Sequence, residues 1–213
     1  MNSIKTVEYL TMISNKNIYL NICMHLLVFA AIAALYLIKN VKSKKYIING
    51  TILILCLSVL LNAVIGGNPF HIITFGIFLI VIIVALIRDK NQIDVPTNGI
   101  MTIISFVFII MGLWYQEFVD VNVFMKFLKS PLGIVPCPTI ITILGILNLC
   151  YPKVNKVQFA TTIVLGIVYG FVGTFKLGVK YDLWLIGAVA FSMANMLLIH
   201  IKTEHMQKFK AKD

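Results

Sequence analysis

Cys137 stands between two prolines in the block Pro136-Cys137-Pro138-Thr139. A thiol is both a soft-metal ligand and a nucleophile. Two prolines so close together take two amide donors from any helix that runs through them. The block therefore predicts a helix break, with Pro136, Pro138 and Thr139 as its structural residues and Cys137 as its chemical one. Read as structure only, Cys137 is a small apolar side chain beside a kink, the usual state of a free cysteine. The histidines are the next groups with chemistry. His25 lies one helical turn after Asn21 and shares its face, and Ser58 and Asn62 repeat that spacing. His71 and Asn68 flank Pro69, a residue suited to the first turn of a helix. Cys137, His25 and His71 are the candidate metal ligands. With Asn21, Asn62 and Glu117 they form a candidate binding pocket. The bland alternative for each amide is a hydrogen bond that ties two helices together.

Other residues narrow the chemistry. Cys23 is two positions from His25 and points elsewhere on a helix, so the two make a poor metal pair. With Cys56, Cys137 and Cys150 it gives no CxxC and no disulfide framework. No HExxH, GxSxG or phosphate-cradling loop occurs, and the sequence requires no cofactor. A thiol enzyme would use Cys137 as nucleophile and His25 or His71 as base. It needs those groups within about 3–4 Å of each other.

The elements that must position these residues are membrane spans. The chain has 213 residues, 60% hydrophobic and 12% charged, where a soluble domain carries roughly 45–50% and 25%. Seven apolar runs, 18–38, 47–65, 70–87, 99–115, 132–151, 157–175 and 183–201, contain no Asp, Glu, Lys or Arg. Runs near 20 residues cross a bilayer as helices, so the expected fold is all-α: a polytopic seven-transmembrane-helix bundle. The 18 basic and 8 acidic residues fall in ends and loops. No carboxylate lies within a run, which argues against proton pumping through buried Asp or Glu. Run seven has no interior lysine, which argues against a retinal protein.

With the N-terminus outside, 12 of the basic residues lie inside and 6 outside, so the expected orientation is N-out, C-in. The net charge of +10 then reports orientation rather than nucleic-acid binding. The candidate pocket residues all fall in the outer third of the bilayer. Residues 1–17 read as an interfacial helix, with Ile4, Val7, Leu10 and Ile13 at three-residue spacing, or equally as a frayed terminus. The connection 116–131 is expected along the membrane surface, and 202–213 as a basic cytoplasmic tail. Gly166, Gly170 and Gly173 read as helix packing, since small residues four apart let another helix approach closely. Ser192 and Asn195 share a face of run seven, and Asn148 shares one with Cys137.

Gly133-Ile134-Val135-Pro136-Cys137-Pro138-Thr139, followed by Thr142, Gly145 and Leu147, resembles a block of the bacterial membrane-protein family called domain of unknown function 6064. Ile140 stands where that family has a second threonine. Asn68-Pro69 with Phe75-Gly76 is similar to a second family segment. Gly170, Gly173, Leu177-Gly178-Val179 and Asp182 are similar to a third. The resemblance implies a polytopic membrane protein and carries no activity and no catalytic residue list.

The expected function is that of a small multi-pass transporter or channel-like protein of the cell membrane, with an outer pocket around the Pro-Cys-Pro-Thr break. A membrane sensor or partner subunit without transport is the alternative, and a membrane-embedded thiol enzyme the third. The partners the sequence allows are the lipid bilayer, a small solute or soft metal ion, and further copies of the chain as a homo-oligomer. Nucleic acid is excluded.

Overall fold

The computed structural model describes residues 3–88, 93–95 and 99–210, with the side chains at 3, 5 and 202–210 left aside. The basic tail expected at 202–213 thus lies outside the described side chains. Among the described residues the regular structure is helical, with no strand.

Helix α1 (Ser3–Lys16) leads into α2 (Ile18–Leu37). Helix α3 (Val41–Ile65) starts where the Asn40 side chain accepts hydrogen bonds from the Lys42 and Ser43 amides. It stops at Gly66-Gly67, where Gly67 takes φ +61° and the Asn68 amide turns back to the Ala63 carbonyl at 2.9 Å. Helix α4 (Pro69–Arg88) follows at once. The Asn68 side chain accepts from the His71 amide, and Pro69 occupies a first-turn position whose N–H has no helical partner. Helices α5 (Gly99–Leu113) and the four-residue α6 (Lys126–Lys129) precede α7 (Pro136–Cys150). Helix α8 (Lys156–Phe171) continues into a π-helical turn, Val172–Lys176, and α9 (Leu183–Lys210) closes the order after a 3₁₀ turn at Lys180–Asp182.

The Pro-Cys-Pro-Thr block differs from its expectation. It begins a helix rather than breaking one. Pro136 forces Val135 into an extended conformation, φ −97° and ψ 137°. Both prolines then sit in the first turn, where a missing N–H costs no internal bond. Thr139 Oγ1 accepts from the Gly133 amide at 2.9 Å and donates to the Val135 carbonyl at 2.8 Å, which fixes the turn before the helix. Residues 132–135 are therefore turns, and the helix is shorter than the apolar run.

Each apolar run of the sequence holds a helix. Five segments are long and apolar enough to cross a membrane: Ile18–Leu37, Val41–Ile65, Pro69–Arg88, Lys156–Lys176 and Lys180–Ile201. The other two apolar helices, α5 and α7, have 15 residues each, about 22 Å against roughly 30 Å of hydrocarbon. Helix α7 is the hub: all its residues are buried, and α5, α8 and α9 pack around it. Its contact with α5 is backbone against backbone. A Cβ on Gly112 would lie 2.8 Å from the Pro138 carbonyl oxygen, and one on Gly145 would lie 2.9 Å from the Ile109 amide. The outer helices invert the pattern of a soluble protein. In α4, Phe75, Phe78, Ile82 and Ala85 face inward, while Ile73, Ile77, Ile80 and Ile87 form an exposed apolar stripe. Such a surface belongs in lipid, and the protein is of the membrane-embedded helical class.

Candidate ligand-binding site

The site is assembled where α8 ends. The π turn widens the backbone, with the Leu177 amide bonded to the Val172 carbonyl at 3.0 Å. The Val179 amide then returns to the Gly173 carbonyl at 3.0 Å, and the 3₁₀ turn leads into α9. This path tucks Asp182 inward against Gly173, where an added Cβ would collide with the Asp182 carboxylate. Asp182 is 1% exposed. The Tyr115 hydroxyl donates to its Oδ1 at 2.6 Å, and the Cys137 thiol donates to its Oδ2 at 3.2 Å. The acid expected in a loop is thus a buried carboxylate at the head of a membrane-length segment.

A cavity of about 480 Å³ lies beside this group. Cys137, Asp182 and Gly173 line it, with His71 and Tyr169 from α4 and α8. Tyr9 and Leu10 of α1 line another part, with Phe70 and Phe118. Lys176 is exposed and lines it too. His71 Nδ1 and Tyr169 Oη are 2.8 Å apart, and Thr74 Oγ1 lies 2.7 Å from the same hydroxyl. The rings of Phe70 and His71 stand 5.4 and 5.3 Å from that of Tyr169. Phe118 adopts φ +66°, a left-handed conformation unusual for a bulky residue, and stacks on Tyr115 at 6.1 Å. Burial against the Gly66 turn pushes the Tyr9 phenol above its ordinary value. Helix α1 is held down at its other end by reciprocal bonds between Asn15 and Asp120.

Of the expected pocket residues, the fold brings Cys137 and His71 to the cavity and leaves four away from it. His25 is fully buried. Its Nδ1 lies 2.7 Å from the Asn21 carbonyl, and its Nε2 lies 2.9 Å from the Leu113 carbonyl and 3.1 Å from Ser130 Oγ. The Nδ1 contact stays within α2, and Nε2 ties α2 to the end of α5 and the segment before α7. Asn21 donates to the Ser14 and Lys129 carbonyls, which holds α1 and α6 against α2. Asn62 donates to Ser58 and receives a long 3.4 Å bond from Asn17. Glu117 is half-buried outside the lining. Helical depth along one axis put these groups at one level, but neighbouring helices turn their faces to different partners.

Among the described residues no group of three or more His, Cys, Asp or Glu side chains is placed to hold a metal ion. The three candidate ligands do not converge. No described hydrogen bond joins Cys137 to a histidine; its partner is a carboxylate. Tyr115 and Tyr169 are site residues that sequence reasoning did not select, and Asp182 reads from the sequence only as one of several polar groups at the outer level, outside the candidate pocket. The signal for Asp182 was its place immediately before a charge-free run. Lower in the bundle, Asn148 donates to Ser192 at 2.6 Å and accepts from Asn195 at 3.1 Å. This closes the polar groups of α7 and α9 on one another. Gly166 and Gly170 of α8 face Val189 and Ile186 of α9 at close range.

No family model, curated protein or solved structure matches the chain.

Proposed function

We propose that the chain is a seven-span membrane protein, N-out and C-in, that binds a small solute in an outward-facing vestibule and moves it by alternating access. The observation that carries this reading is the cavity beside Cys137 and Asp182: space for a small molecule, bordered by a buried acid, at one end of an apolar bundle. Pockets of this size, mostly apolar with few polar groups, are what solute sites look like. A second cavity of about 450 Å³ at the opposite end is lined by Tyr36, Lys44, Asp94 and Thr102. Between the two run the buried residues of α7. A packed middle between two end cavities favours alternating access over an open pore. The same packed middle supports the second reading, a sensor that binds solute at the outer cavity without passing it on.

The two are separated by accessibility. Lys176→Cys and Thr102→Cys are placed singly in a Cys23→Ser background and treated with a membrane-impermeant maleimide on intact cells and on inside-out vesicles. Labelling of Lys176→Cys from outside and of Thr102→Cys from inside is expected. Labelling in the reverse pattern overturns the orientation. A solute that lowers labelling at one cavity and raises it at the other supports transport; one that affects only the outer cavity supports sensing.

A further inference from the structure

Among the described residues the buried carboxylate of Asp182 has no salt-bridge partner. Its two oxygens are bonded to neutral donors, Tyr115 and Cys137. The ion pairs among the described residues, Lys44–Asp94 and Lys153–Asp94, lie at the opposite cavity. A carboxylate offers about four acceptor positions, and two remain beyond these bonds. An uncompensated charge in a low-dielectric interior is costly, and acids at membrane depth mark ligand or ion sites. The cavity beside Asp182 supplies the second observation. Tyr9, Phe70, Phe118 and Tyr169 all line it, and the Phe70 and Tyr169 rings lie 5.4 Å apart. Aromatic faces attract cations. Against Asp182 itself an anion would be repelled and a neutral solute would leave the carboxylate uncompensated; the Lys176 ammonium in the same lining is solvent-exposed. A bare divalent ion needs several oxygen ligands, and no such cluster is present among the described residues.

We propose that the cavity binds a small organic ammonium compound, with its cationic nitrogen against Asp182 and its alkyl groups on the rings of Phe70 and Tyr169. The proposal rests on the solute-binding reading above. Lys176 also lines the cavity and is exposed, so a compound with an anionic group at its far end satisfies both charges.

The test titrates the purified full chain in dodecyl maltoside with choline and, in parallel, with 3,3-dimethyl-1-butanol, which has the same shape without the charge. Choline is expected to raise the melting temperature saturably and the alcohol to leave it unchanged. Asp182→Asn is expected to abolish the choline shift. Should Asp182→Asn fail to fold, Phe70→Leu replaces it, and the half-saturating choline concentration is expected to rise about threefold or more. Equal shifts from both compounds, or no shift from choline, overturn the ammonium proposal. If Lys176→Cys still labels from outside in that case, the vestibule reading stands; if it does not, that reading falls as well. Reconstitution in phosphatidylglycerol with and without phosphatidylcholine separates the two sources of this chemistry. Choline binding that persists beside phosphatidylcholine assigns a free solute. Binding displaced by it assigns the lipid headgroup.

Discussion

The Cys137 thiol donates to Asp182 Oδ2 at 3.2 Å across 45 positions of the chain. This bond joins the first turn of α7 to the turn that opens α9. It is possible because Gly173 leaves room for the carboxylate, and because Pro136 and Pro138 start the helix at the level of the π turn. The thiol's partner is thus an acid, and the imidazole a thiol enzyme would want is bonded to Tyr169 instead.

Gly173→Ala should therefore damage the site through one methyl group. The added carbon runs into the Asp182 carboxylate, and overpacking of this kind costs about 1–3 kcal/mol. Gly76→Ala is the control: it lies within α4 with open space around it and should be neutral or stabilising by up to about 1 kcal/mol. Denaturation of the detergent-solubilised variants measures both. A Gly173→Ala protein as stable as Gly76→Ala would refute the close approach.

His25→Ala should destabilise the fold without emptying the cavity. Both imidazole nitrogens are bonded in a fully buried setting. Losing the ring opens a cavity in that setting and removes its hydrogen bonding, while the Leu113 carbonyl keeps its bond from Ser130; the cost is roughly 2–4 kcal/mol. The same unfolding assay reads the loss. Labelling of Lys176→Cys in the His25→Ala background should stay within the range of the parent, because His25 does not line the cavity.

Asp94 sets a pH dependence at the other end of the bundle. The hydrogen bond from the Lys44 ammonium, at 2.8 Å, leads in holding its carboxyl below the ordinary 3.8, helped by the Val95 amide and the charge of Lys153. A depressed pKa contributes stability above the ordinary carboxylate value and loses it as pH falls through the lowered one. Thermal stability of the parent should thus fall faster than that of Asp94→Asn as pH drops below about 4. The group is partly exposed, so the coupling to Lys44 in a double-mutant cycle should stay below about 1 kcal/mol and shrink with salt.

The helices were legible one by one. Charge-free runs near 20 residues and Pro69 at a first-turn position act within a few residues of themselves. The start of α7 was misread because proline's two effects look alike in a sequence. The same residue breaks a helix from inside and opens one from its first turn, and the difference lies in where the preceding segment 132–135 finds its partners. Thr139 supplies them from within the block, an arrangement that no period or composition reveals.

The site was legible only in part. Cys137 and His71 stood out by type and reached the cavity. His25, Asn21 and Asn62 stood out equally and serve as ties between elements. Depth along a helix follows from counting residues, but the direction of a side chain relative to its neighbours depends on how the helices are rotated in the bundle.

By itself the sequence determined a chain that must be helical and embedded in lipid, because apolar runs without charges satisfy their backbone only as helices and their side chains only away from water. Only the tertiary structure decided that Asp182 is buried, that Tyr115 and Cys137 hold its two oxygens, and that aromatic rings from four separate segments border the space beside it. Those contacts join residues 45 and 67 positions apart. Close approaches allow them: Gly112 and Gly145 let the backbones of α5 and α7 meet, and Gly173 leaves room for the Asp182 carboxylate.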